Sequence, residues 1–494
     1  MNRYDTIIIG SGLGGLTCGA ILSKEGKQVC VLEKEPIAGG CLRSFHRNGV
    51  LFDTGMHYIG SMNDGEILNH FLRYCGVYNS LHLQRLDDDG FDVIHAEGRE
   101  FRFCQGYDRF VDSLATAFPT QRQQINNYAT TLRGVGQSIG VEKLRQGIIS
   151  VDGLRFMSMA ASVQIEQQID DPLLRKVVAG TSFLYDGVRD RSPFYQHAMI
   201  QHSFIHGAYR FTDGSQQLAD TLVDVICHNG GEVRCGDTVT RVCQQSNRIR
   251  GIGLASGTLL EADQVISDIH PAQLLPMLDP DHRISSSYRT RIVSAANTFG
   301  VFSIFAEVDK QAFPYRNCNH YIIGNGDVWA DSILAQRPQI IMLSMQAHNT
   351  NATCEAVSLL CPMLFSEVEK WQDTILGKRG EEYREFKQKK TEEVIQTVEQ
   401  QFPGFRAAIR NIHTATPLTY CNYTGTPQGT AYGIAIDCND VMGSLLSPVT
   451  KVEGLYLTGQ NIATHGALGV VMTAIATCGA ILGNEYVARK IGGV

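Results

Sequence analysis

The sequence predicts an α/β protein in which a split nucleotide-binding domain is interleaved with an α+β substrate domain. Three observations predict this. A strand, a glycine turn, a helix and a second strand open the chain, and a strand, a glycine turn and a helix close it. Between them lies a long stretch with its own strand and helix patterning, and 494 residues are too many for one simple core.

In the opening unit, Ile7-Ile8-Ile9 reads as a fully buried parallel strand. Gly10-Ser11-Gly12-Leu13-Gly14-Gly15 follows, and Gly10, Gly12 and Gly15 fit the Gly-x-Gly-x-x-Gly fingerprint of a Rossmann-type domain. The first glycine permits a tight turn, the second lets a pyrophosphate approach the backbone, and the third lets helix and sheet pack closely. The helix expected over 13–25 points its N-terminal amides at the phosphates. A second strand runs to Leu32. Glu33, 21 residues after Gly12, stands where an acid accepts ribose hydroxyls. An acid there disfavours a 2′-phosphate and hence NADP. The glycines alone are a weak signal; strand, glycines, helix, strand and acid in order are a specific one.

At the other end, Gly454 to Thr458 reads as a strand ending in the Gly459-Gln460 turn, and Ala467 to Gly479 as a helix rich in small residues. Midway, Gln216 to Asn229 has a helical apolar face stopped by Gly230-Gly231, followed by strand patterns through Val239 and on to Ser267. Residues 299–308 and 339–345 alternate like sheet strands, and the charged stretch from Glu369 to Gln401 reads as long helices with Phe386, Val394, Ile395 and Val398 inward.

Composition narrows the function classes. A net charge of -7 offers no basic field for nucleic acid. Fourteen scattered cysteines without a Cys-x-x-Cys pair point to free thiols in a reducing compartment, with no metal site expected. Tyr4 leads directly into the first strand, so no leader is expected, and no apolar run reaches the ~18 residues of a spanning helix. A cytoplasmic protein is the expectation.

Gly39-Gly40-Cys41-Leu42-Arg43-Ser44, followed by Phe52-Asp53-Thr54-Gly55, resembles the second glycine segment of FAD flavoproteins in the amine oxidase and carotenoid desaturase superfamily. Cys41 stands where that family usually has arginine, a role that passes to Arg43, and Asp213 stands where it commonly has glycine. The stretches Phe52 to Gly60 and Pro417-Leu418-Thr419 followed by Gly425 to Gly433, with the C-terminal motif, are most similar to the retinol saturase-like branch, His57-Tyr58 being the most branch-specific feature. The resemblance implies non-covalent FAD. Its diphosphate and ribose contacts would come from Gly10, Gly12, Gly14, Gly15, Glu33, Lys34, Gly40, Arg43 and Ser44, and its adenine contact from Val239. Gly459 would also approach the diphosphate, Gly469, Val470 and Val471 would meet the flavin, and Met56 and Gln460 would be further cofactor contacts. Residues 1–75, 205–270 and 450–494 would form the FAD domain, and 76–204 and 271–449 the substrate domain.

The branch implies saturation of one carbon–carbon double bond in an apolar retinoid, carotenoid or other isoprenoid substrate. His57 or Tyr58 would deliver the proton, both being able to titrate or relay. An amine oxidase is the alternative, with an aromatic pair drawn from Tyr420, Tyr423 and Tyr432. A flavin-free prenyl-binding escort protein ranks last, because Glu33 and Gly459 are both present. No second glycine fingerprint for NAD(P)H is found, so the electron donor or acceptor stays open. Leu154, Phe156, Met157 and Met159 offer an apolar surface for peripheral membrane contact, against the simpler expectation of a core helix.

Overall fold

In the computed structural model, which describes residues 3–138, 140–146, 154–279, 283–331, 339–347 and 354–494, two seven-stranded sheets set the architecture. The strand Arg3–Ile9 is the centre of the first. It pairs in parallel with Val29–Glu33 on one side and Leu259–Ser267 on the other. Glu232–Cys235 extends the sheet beyond Val29–Glu33, and Leu455–Leu457 runs parallel to the end of Leu259–Ser267. Val239–Gln245 and Arg248–Leu254 form an antiparallel hairpin at that edge. Ile7 and Ile8 are fully buried, as a parallel strand covered on both faces requires.

One face is covered by the helices Leu13–Lys24, Gln216–His228 and Gly466–Leu482, which share one apolar core. Small residues let them approach. A Cβ on Gly19 would lie 2.7 Å from Ile226 Cδ1. The helix expected over 13–25 thus ends at Lys24, and Gln216–His228 carries Leu218, Leu222 and Ile226 inward as its period requires.

The second sheet has the order Ile409–Ala415, Gly300–Val308, Cys354–Met363, Ile340–Ala347, Asn319–Ile323, Asp92–Ala96 and Arg99–Phe103. All its pairings are antiparallel except that between Asn319–Ile323 and Asp92–Ala96. Two strands match the alternation expected over 299–308 and 339–345. The stretch from Glu369 differs from expectation. Only Glu381–Gln401 is a long helix, because Gly380 adopts φ +88° immediately before it and Glu369–Trp371 is a single 3₁₀ turn. Ile395 and Val398 are buried on its inner side, with Phe386 and Val394 packed against the same core.

Helices Tyr107–Ala117, Arg122–Gln137 and Phe194–His206 pack on the second sheet. The expected apolar surface near residue 156 faces this core instead. Met157 is buried and the Phe156 ring lies 5.7 Å from that of Phe194, while the Leu154 side chain lies outside the described residues. Met159 is half-buried. Apolar side chains at helical spacing beside an unfilled core gain more by burial than by exposure. All fourteen cysteines are free thiols, and no described helix is long and apolar enough to cross a membrane.

Candidate functional site

A cavity of about 870 Å³ runs from the glycine turns of the first sheet to the apolar face of the second. The polar end is built from backbone. Gly10 follows the first strand with φ +96°, a turn closed to most side chains. A Cβ on Gly14 would stand 2.8 Å from Gly459 Cα, so the N-terminal and C-terminal glycine turns meet at van der Waals distance. A Cβ on Gly40 would stand 3.2 Å from Gly12 Cα, bringing the second glycine segment against the first. The amides of helix Leu13–Lys24 and of helix Gly466–Leu482 both open on this space, which suits a ligand with negative charge at each.

Glu33 ends its strand 8% exposed. Its Oε2 accepts from the Ser11 amide at 3.1 Å and the Ser11 hydroxyl at 2.6 Å, and Oε1 accepts from the Glu35 amide at 2.9 Å. The acid is thereby held against the first glycine turn with acceptor capacity left for a hydroxyl. Lys34 donates to the Asn422 carbonyl at 2.9 Å. Arg43 donates to the carbonyls of Gly40 at 3.0 Å and Tyr423 at 3.1 Å.

Gly10, Gly12, Gly14, Glu33, Lys34, Gly40, Arg43, Met56, His57, Tyr58, Val239, Gln460, Gly469 and Val470 all line the cavity. Four expected contacts sit behind the wall. A Cβ on Gly15 would lie 2.2 Å from the Gly10 carbonyl oxygen, so this glycine serves helix–strand packing. Ser44 donates to Asp53 at 2.6 Å and accepts from the Gln216 amide. Val471 is fully buried in the helix core, and Gly459 packs over Gly14.

His57 and Tyr58 differ in their surroundings. His57 is buried with no partner for Nε2, and burial, then the charge of Arg210, holds it down to about 4, so it is neutral at pH 7. The Tyr58 ring stacks on Phe204 with centroids 4.0 Å apart. Its hydroxyl donates to Asp92 Oδ2 at 3.1 Å and pairs with the Tyr321 hydroxyl at 2.7 Å. Burial raises the Asp92 carboxyl to about 7, with hydrogen bonds from Asn319 and Tyr58 opposing it. A carboxyl so placed holds and gives a proton near neutrality.

Two cavity residues escaped the sequence reading. His465, immediately before helix Gly466–Leu482, has neither ring nitrogen partnered; burial holds it down to about 4, and it stacks on Tyr432 at 4.5 Å. Asp268 follows the strand Leu259–Ser267 beneath the glycine turns. Cβ atoms on Gly12, Gly14 and Gly459 would each lie within 2.5 Å of its carboxylate oxygens. Burial raises Asp268 to about 7. Neither lies in a spacing motif, although a histidine beside a helix start and an acid closing a buried strand are the signals that mark them.

Of the candidate aromatic pair, Tyr420 donates to the Thr54 carbonyl at 3.2 Å and pairs with the Ser303 hydroxyl at 2.7 Å, while Tyr432 donates to the Phe183 carbonyl at 2.9 Å. The tight glycine cradle and the acid at a strand end together fit an extended dinucleotide, and His57 and His465 bring unpartnered ring nitrogens to the same cavity.

Comparison with known proteins gives the same picture. The chain is 27% identical to all-trans-retinol 13,14-reductase of Rattus norvegicus over 97% of this chain and 86% of the relative. It is 23% identical to chloroplastic prolycopene isomerase 1 of an Oncidium hybrid cultivar, over 99% and 85%. A crystal structure of an oxidoreductase from Methanosarcina mazei superposes with a TM-score of 0.67 at 17% identity, covering 96% of this chain and 99% of that one. The model of the flavin containing amine oxidoreductases matches residues 13–482, and the chain belongs to that family.

Proposed function

We propose that this FAD-dependent oxidoreductase saturates one carbon–carbon double bond of an apolar conjugated substrate of the retinoid or carotenoid type. The observation that carries the reading is that one cavity joins two chemically different ends. Its glycine end suits a dinucleotide, and its far end is walled by Phe183, Met199, Phe204, Val301, Met342 and Leu360, which suit a polyene. The similarity to a retinol reductase supports the same substrate class.

On this reading residues 1–75, 205–270 and 450–494 hold the cofactor. Gly12 and Gly14 would admit the diphosphate, Glu33 would accept the ribose hydroxyls, Val239 would meet the adenine, and Gly469 and Val470 would hold the flavin end. Bound FAD supplies the hydride chemistry. The chain supplies the proton. Neutral His57 positions, while Tyr58 stands between the cavity and Asp92, which is the acid poised to give a proton through the tyrosine hydroxyl.

Anaerobic incubation of the reduced enzyme with retinoids, carotenoids and amines, followed by mass analysis, tests this. The expected product is a polyene that has gained two hydrogens. Turnover of amines alone would replace the reading with an amine oxidase.

A further inference from the structure

Outside the cavity, three side chains with metal-ligating atoms converge. His202 and His206 lie one turn apart on helix Phe194–His206, and Glu66 precedes helix Ile67–Cys75. One ligand atom from each lies within 4.8 Å of the others. Glu66 Oε1 is 3.3 Å from His206 Nδ1. Glu66 Oε2 has no partner although the side chain is only 9% exposed, and an unpaired carboxylate oxygen at that depth carries a desolvation cost that a cation relieves. The Tyr107 hydroxyl pairs with His202 Nδ1 at 2.7 Å, the outer contact that orients a ligating imidazole and leaves Nε2 to bind. A second cavity of about 380 Å³, lined by Tyr107, Gln137 and His206, reaches this point and gives an ion and its waters entry.

We propose that Glu66, His202 and His206 form a divalent transition-metal site, with zinc the ion best suited to two imidazoles, one carboxylate and water. Nitrogen donors select against magnesium and calcium. Ligand distances of about 2.1 Å require the three atoms to close in, and His206, at the surface, has room to turn. The consequence is mechanical. The chain from His57 to Glu66 already lies on this helix, with the Ser61 amide donating to the Ser203 carbonyl at 3.2 Å and a Gly60 Cβ position 2.7 Å from that oxygen. The same helix presents Met199 and Phe204 to the large cavity. A metal here pins the segment bearing His57 and Tyr58 to a wall of the substrate chamber. Arg133, which lines the small cavity with its guanidinium 4.5 Å from the Tyr107 ring centroid, is the opposing charge.

The test uses the full-length, FAD-loaded protein, stripped with chelator and then titrated with zinc chloride. One zinc per chain should survive dialysis and raise Tm. His206→Gln should lose that zinc and the shift, Tyr107→Phe should weaken binding by about tenfold, and Arg133→Gln should tighten it. His206 and Arg133 are at the surface, so these variants remain folded where Glu66→Gln is at risk. Cobalt in place of zinc should give the visible absorption of a four-coordinate site. Failure of the wild type to retain zinc, or equal retention by His206→Gln, overturns the proposal and leaves Glu66 and His206 as an ordinary polar contact.

Discussion

The two ends of the large cavity are made of different material. At the glycine end the walls are backbone. Gly12, Gly14 and Gly40 bring three chain segments into contact, and Glu33 contributes one side chain held by Ser11. At the far end the walls are side chains from helix Phe194–His206 and from strands Gly300–Val308, Ile340–Ala347 and Cys354–Met363. A backbone-built site demands glycine at fixed spacing, because any Cβ there collides. A side-chain-built site demands only apolar volume, which many sequences supply. The first kind suits a cofactor of fixed shape, and the second can be reshaped around different substrates.

The largest expected effect lies where the two ends meet. Tyr58→Phe removes the hydroxyl that links the cavity to Asp92 and should lower turnover by about 10² to 10⁴. FAD content should stay normal, because the cofactor contacts are elsewhere. Asp92 must be protonated to act as the acid, so wild-type activity should fall as pH rises through about 7. In Asp92→Asn that limb should vanish along with most of the rate. His57, neutral above about 4, should add no limb near neutrality. A Tyr58→Phe enzyme with full turnover would separate the tyrosine from the chemistry, and loss of FAD with activity would make it structural.

A smaller effect is expected wholly within the glycine end. Glu33→Arg replaces a hydrogen-bonded acid with a cation beside Ser11 and should weaken FAD by about 10- to 100-fold, on the ~1.5 to 3 kcal/mol of a hydrogen bond to a charged group. Fluorescence titration of the stripped protein with FAD measures this. Substrate Kd in reconstituted protein should be unchanged, because the polyene end is built from other residues. An unchanged FAD affinity would show that Glu33 does not hold the ribose.

This division also explains what the sequence disclosed. The first strand, its glycine turn, the helix to Lys24 and Glu33 were legible because each obeys a spacing rule with a steric cause. The strands Gly300–Val308 and Ile340–Ala347 were legible as strands but not as cavity walls, since both faces of the second sheet are apolar. Asp92 is separated from Tyr58 by 34 residues and opens a buried strand, so only the parallel pairing with Asn319–Ile323 brings Tyr321 and Asn319 beside it. Glu66 and His206 are 140 residues apart, and a histidine pair at i, i+4 carries little meaning until a third ligand joins it. The 369–380 stretch failed for a local reason. Charge suggested helix, and the conformation of Gly380 ended it.

The smallest predicted effect concerns the acid within the glycine end. Asp268 lies under the turns that would receive the diphosphate, and burial raises its carboxyl to about 7 from an ordinary value near ~3.9. The folded protein therefore holds a proton that the unfolded chain releases between about pH 4 and 7, and stability from this group falls as pH rises across that window. Above 7 the carboxyl ionises beside a diphosphate and repels it. If binding requires the neutral acid, FAD affinity at pH 7.4 should be about threefold below its value at pH 6, and the loss should approach about tenfold per further pH unit. Glu33, Lys34, Cys41, Arg43, Asp237 and His270 are the other titratable groups at this end, and burial holds the His270 imidazole below its ordinary value. Asp268→Asn keeps the shape and removes the charge. It should bind FAD with flat affinity from pH 6 to 8.5 and raise Tm most at the alkaline end. The same pH slope in wild type and variant would assign the dependence to another group, and weaker FAD binding by the variant at every pH would make Asp268 a ligand of the cofactor rather than a brake on it.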